Sequence, residues 1–109
     1  MKELSVERRE DVLVARLSGE IDMANAPQIE VGIAAAADGV TKVVVVAEDV
    51  TYFDSSGMRM LDGLVGACGA AGVAVLVVAP DPGPVRFILK MCGWRPELLA
   101  QTLDEALAT

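Results

Sequence analysis

Two valine-rich runs, Lys42-Val43-Val44-Val45-Val46-Ala47 and Val73-Ala74-Val75-Leu76-Val77-Val78-Ala79, restrict the fold more than any other feature of the chain. Neither alternates apolar with polar residues, so neither fits a strand with one face in water. A short, continuous β-branched run reads as a strand buried on both faces, which calls for helices on both sides of a sheet, or a helix layer plus a partner. The intervening segments have the helical period instead. Ile29, Ile33 and Ala36 or Ala37 form one stripe, and Val85, Ile88, Leu89 and Cys92 recur at i, i+3, i+4 and i+7. Strands alternating with helices in this way predict an α/β domain.

The remaining segments follow in order. Residues 4–7 and 12–17 read as two strands around Arg8-Arg9-Glu10-Asp11, an antiparallel start. Ser18-Gly19-Glu20-Ile21-Asp22-Met23-Ala24-Asn25 leads into the first helix, with Asn25 as N-cap, Pro27 in the first turn and Gly39 at the end. Glu48-Asp49-Val50-Thr51 connects the first valine strand to a second helix that ends near Gly69 or Gly72. Pro80-Asp81-Pro82-Gly83-Pro84 launches the third helix, which Gly93 caps. Residues 97–103 read as a short edge strand or an irregular connection, and 104–108 as a terminal helical turn or two. The order ββαβαβα, with a weak last strand and helix, predicts a mixed sheet in one domain spanning 1–109, a length that supports one core.

The junction Tyr52-Phe53-Asp54-Ser55-Ser56-Gly57-Met58-Arg59-Met60-Leu61 places two hydroxyls and an aspartate where a strand hands over to a helix. The first turn of a helix has unpaired N–H groups and the positive end of the macrodipole, so it suits an anion or an acquired phosphate. At about 100° per residue, Gly57, Met58, Met60, Leu61, Leu64, Val65, Cys68 and Ala71 fall in one arc, which packs on the sheet. The opposite arc holds Ser55, Arg59, Asp62, Gly63, Gly66 and Ala70. That face presents a hydroxyl, one charge of each sign, and then almost no side chain, so another backbone can come close. Small residues tolerated on a solvated helix give the same pattern, although glycine costs about 1 kcal/mol relative to alanine there.

The chain has no histidine, and that excludes several chemistries. Ser55 or Ser56 as a hydrolase nucleophile lacks its usual base, the flanks are not GxSxG, and nothing places Lys42 or Lys90 nearby. Metal ligation is left with Asp22, Asp49 and Asp54, which suit magnesium at best. Gly63, Gly66, Gly69 and Gly72 lie within or at the end of a helix, not before one, so they do not make a nucleotide loop. A net charge of −7 argues against a nucleic-acid backbone or an anionic membrane surface as partner. No run approaches the roughly 20 apolar residues of a membrane span. The start Met1-Lys2-Glu3-Leu4 has no signal-peptide character, which points to the cytoplasm. Cys68 and Cys92 both read as small buried hydrophobes. With no catalytic constellation and no cofactor site, the chain reads as a switchable binding module and not an enzyme.

At Asp54-Ser55-Ser56-Gly57-Met58-Arg59-Met60-Leu61 the chain resembles the STAS domain family, and within it the stand-alone bacterial anti-sigma factor antagonists, which carry D-S-[ST]-G-[LM] after a hydrophobic strand. Leu17-Ser18-Gly19-Glu20-Ile21-Asp22 is similar to the family's L-x-G-E-[LI]-D. Val85-Arg86 through Met91-Cys92-Gly93-Trp94 matches a third, looser pattern. Departures are the proline-rich 80–84 loop and Arg59, where a small residue is frequent. The resemblance implies a four- to five-stranded mixed sheet with helices packed mainly on one face. It also implies partner switching: the unphosphorylated antagonist binds an anti-sigma factor serine kinase, phosphorylation of the first serine, here Ser55, separates them, and a PP2C-type phosphatase resets the cycle. The partner-facing residues on this reading are Asp22, Met23, Asn25, Asp54, Ser56, Gly57, Met58, Arg59, Asp62, Gly63 and Gly66. The alternative is a non-switching STAS subunit of a transport or sensory assembly, in which Ser55 is an N-cap. A monomer and a weak dimer both stay open.

Overall fold

The first valine run becomes the middle of a five-stranded sheet. In the computed structural model, which describes residues 1–109, the strands are β1 (Leu4–Arg9), β2 (Val12–Ile21), β3 (Lys42–Phe53), β4 (Ala74–Val78) and β5 (Leu99–Ala100). The helices are α1 (Ala26–Ala36), α2 (Ser55–Ala70), α3 (Pro84–Met91) and α4 (Leu103–Ala108), with a 3₁₀ turn at Pro96–Leu98. The strands lie in sequence order. β1 is antiparallel to β2 across a turn in which Glu10 has φ 57°, and every later pairing is parallel. This is the expected mixed sheet, and segment 97–103 resolves into its short edge strand.

Successive side chains of a strand point to opposite faces, so the valine run divides between two cores. Val43, Val45 and Ala47 join Leu13, Ala15, Val75 and Val77 beneath α1, α2 and α3. Val44 and Val46 join Val14, Leu76 and Val78 on the other face, where Ala106 of α4 covers them. Helices therefore lie on both sides, but lopsidedly, three against one. Each fully buried valine contributes about 1.5–3 kcal/mol. Lys42 holds the single helix in place: its Nζ donates to the carbonyls of Ala106 and Thr109, at 3.0 and 2.7 Å.

Three expectations need correction. β2 continues to Ile21 and β3 to Phe53, so 18–21 and 48–51 are strand where connections were expected. Register shifts opposite Arg16/Ser18 and Gly19/Glu20 each insert an extra β3 residue. These bulges break the alternation and leave Glu48, Asp49, Thr51 and Tyr52 exposed. Second, Cys92 is exposed, whereas Cys68 is buried and its thiol pushed up by burial. Gly93, at φ 63°, turns the chain after α3, and Trp94 covers the core there instead. Third, Asn25 occupies the N-cap position of α1 without making a capping bond. Its amide bridges the preceding turn.

Candidate functional site

Only residues 42–46 of β3 pair with β4, so the last part of β3 reaches α2 with β2 as its one strand neighbour. Val50 and Phe53 anchor it in the main core. The strand end and the helix start are then locked face to face, because a Cβ on Gly57 would run into the Phe53 ring. Asp54, in extended backbone, is the N-cap: its Oδ1 accepts from the Ser56 amide at 2.9 Å. Ser55 is the first helical residue, and it is exposed. It is not the cap that a non-switching module would make of it.

Tyr52 and Asp54 share one side of the strand by their i, i+2 spacing, and the Tyr52 hydroxyl donates to Asp54 Oδ2 at 3.4 Å. The charge of Asp54 first, then slight desolvation and this hydrogen bond, push the phenol above its ordinary value, and Asp22 and Glu20 add to the effect. Three carboxylates thus gather around one phenol beside Ser55.

The turn between β2 and α1 supplies the facing wall. Asp22 Oδ1 accepts from the Ala24 amide at 2.9 Å, while Asn25 Oδ1 accepts from the Asp22 amide at 3.1 Å. Asn25 Nδ2 donates to the Glu20 carbonyl at 2.8 Å. With its flanks pinned, the turn presents Met23, 79% exposed, at its tip. Met23, Pro27 and Glu30 on one side and Ser56, Arg59 and Met60 on the other line a concavity of about 250 Å³ between α1 and α2. Arg59 donates from Nη2 to Ser56 Oγ at 3.4 Å, so its guanidinium turns to the second serine and not to Ser55.

The structure divides the residues expected from sequence. Asp22, Met23, Asn25, Asp54, Ser56 and Arg59 meet around the start of α2. Gly57 is buried under Phe53, and Met58 is half-buried against the main core. Gly63 lies under the Glu30 carboxylate, so α1 and not solvent faces it. Asp62 is exposed but accepts from Trp94 Nε1 at 2.7 Å, and only Gly66 is open on every side. Sequence reasoning missed Tyr52, Pro27 and Glu30 as part of this surface. The i, i+2 spacing to Asp54 and the i, i+3/i+4 spacing of Met23, Pro27 and Glu30 were the available signals.

The STAS domain model matches residues 3–106. The chain belongs to the STAS domain family. Among solved structures, this STAS domain is similar to an anti-sigma factor antagonist from Mycobacterium paratuberculosis, at 30% identity over 96% of this chain and 90% of that one, with a TM-score of 0.81. The Bacillus cell fate determinant SpoIIAA, an anti-sigma factor antagonist, matches in two states. Its unphosphorylated form is 26% identical over 95% and 92% of the two chains (TM-score 0.80), and its phosphorylated form 25% identical over 96% of each (TM-score 0.75). A sulfate transporter family protein from Wolinella succinogenes, 17% identical over 92% of this chain and 84% of that one, shares the fold (TM-score 0.77). No curated protein matches by sequence. No helix of the structure is long and apolar enough to cross a membrane.

Proposed function

We propose that this STAS domain is a cytoplasmic anti-sigma factor antagonist, a binding module and not an enzyme. Unphosphorylated, it binds an anti-sigma factor serine kinase; phosphorylated on Ser55, it is released, and a PP2C-type phosphatase restores it. The observation that carries this reading is Ser55 itself, an exposed hydroxyl at the first position of α2 whose capping duty Asp54 already performs. The likeness to SpoIIAA, solved with and without phosphate, supports it.

A phosphate on Ser55 adds about 1.5–2 negative charges to a region that already holds Asp54, Asp22 and Glu20. The helix N-terminus offsets about 0.3–1 kcal/mol of that repulsion, and the group stays in water, so the fold tolerates it. A docked partner does not, because a lost buried contact costs about 2–5 kcal/mol. Met23, Pro27 and the α1–α2 concavity would take the partner's apolar side chains beside the serine.

Pull-downs from host lysate with wild-type, Ser55→Ala and Ser55→Glu baits test the reading. A small ATP-binding serine kinase captured by wild type and Ser55→Ala, and lost with Ser55→Glu, is the expected result. Equal capture of a transporter or scaffold subunit by all three overturns it in favour of a non-switching module.

A further inference from the structure

The third helix carries a face that this switch does not use. Residues 82–96 contain Arg86, Lys90 and Arg95 and no carboxylate, within a chain of net charge −7. Val85 and Leu89 turn into the core, while Phe87 and Met91, one turn apart on the opposite side, are 63% and 71% exposed. With Pro82, Gly83 and Pro84 they line a concavity of about 580 Å³, and Lys90 and Asp81 stand at its rim with their charged atoms 3.7 Å apart. The platform is stiff. Arg86 donates to the Ala79 carbonyl at 2.6 Å and the Ala100 carbonyl at 3.1 Å, tying α3 to the ends of β4 and β5. Aromatic residues, methionine and arginine are the types enriched where proteins meet, and an exposed apolar hollow with a charged rim is what a helix-in-groove contact requires.

We propose that the Phe87–Met91 face of α3 docks an acidic amphipathic helix of a partner protein. Its apolar anchors enter the hollow and its carboxylates displace Asp81 from Lys90 and reach Arg95. Charge complementarity selects this occupant. A second copy of the chain would have to seat its acidic β2–β3 end on α3, a heterologous contact that gives a ring or a filament and not a simple two-fold dimer. An anionic membrane is served poorly, because Lys90, already beside Asp81, and Arg95 are the only cations here besides the backbone-bound Arg86, and a polybasic segment uses about four to eight. The face shares no residue with the α1–α2 concavity, so the proposal stands or falls independently of Ser55 phosphorylation.

The test is an NMR titration of the full 15N-labelled chain with a synthetic amphipathic peptide, leucines at i, i+3, i+4 and i+7 flanked by glutamates. A counterpart with lysines at the glutamate positions is the control. The expected result is saturable amide shifts confined to residues 81–95, with the acidic peptide only, weakening as salt rises. Phe87→Ser should weaken binding about thirtyfold and Lys90→Glu about tenfold. Asp81→Asn should strengthen it, and all three variants should keep the wild-type thermal midpoint. Absence of saturable shifts, shifts centred on α1–α2, or an equal response to the lysine peptide overturns the proposal. So do shifts that arise from raising the protein concentration alone, which mark a second copy, and binding to phosphatidylserine vesicles in place of the peptide, which marks a membrane.

Discussion

In the first half of β3, residues 42–46 are flanked by β2 and β4 and covered by helices on both faces; in the second half, residues 48–53 have β2 alone beside them and four of six side chains in water. One strand therefore does two kinds of work. The first half is determined by burial, and almost any polar change there meets the core. The second is held by backbone pairing and by two inward anchors, Val50 and Phe53, which leaves its other positions free to carry charge and hydroxyls. The difference shows how this fold presents a site rigidly without burying it: the rigid half positions the chain, and the open half delivers Tyr52, Asp54 and Ser55 to the surface.

Substitutions along this path separate the two halves, beginning where the effect is greatest. Val45→Asp places a carboxylate in a site with no solvent exposure. It should cost more than about 4 kcal/mol and abolish cooperative thermal unfolding; a folded Val45→Asp protein would mean that the first half is not the rigid one. Gly57→Ala comes next. Alanine gains up to about 1 kcal/mol in helix propensity, but the added methyl meets the Phe53 ring, and overpacking costs about 1–3 kcal/mol. Urea denaturation should show net destabilisation, whereas a neutral or stabilised variant would show that the strand–helix lock is loose. Asp54→Ala removes the cap of α2 and should cost about 0.5–2 kcal/mol, while Ser55→Ala stays within about 0.5 kcal/mol. The reverse order would return the capping role to Ser55.

The smallest effect is a shifted titration. Tyr52 is the only tyrosine, so ultraviolet absorbance follows it alone. Its phenolate forms beside Asp54, which disfavours the added negative charge, and its midpoint should lie above 10.0. Asp54→Asn removes the largest cause and should move the midpoint down. No movement would mean that the two groups are not neighbours in solution.

The parts of this arrangement that depend on local pattern were legible in the sequence. The valine runs marked the central strands, the period after Ser55 marked the helix that packs on them, and Asp54-Ser55 marked the handover. Parts that depend on which neighbour the folded chain supplies were not. Glu48-Asp49-Val50-Thr51 has the composition of a turn, and it becomes strand because β2 extends alongside it with two bulges. Cys92 fits an apolar helical spacing, but the chain turns at Gly93 before that spacing buries it. Arg59 lies one turn after Ser55 on a helical projection, yet its guanidinium bonds to Ser56, three residues back on the same helix. Asn25 has the chemistry of a cap, and the carbonyl of Glu20 offers its amide a different use. In each case residue type was informative and destination was not, because destination was set by which of several competing neighbours the folded chain supplies.

The bond between Trp94 and Asp62 has one more consequence. Trp94 is the only tryptophan, 7% exposed, with its amide fixed to the Leu89 carbonyl and its indole to a carboxylate on α2. Its emission colour depends on both attachments, so the molecule contains its own optical strain gauge between α2 and α3. A partner that pulls α2 away from α3 would let water reach the indole and shift its emission to the red. Fast-mixing fluorescence could then time each arrival and departure on the unlabelled protein.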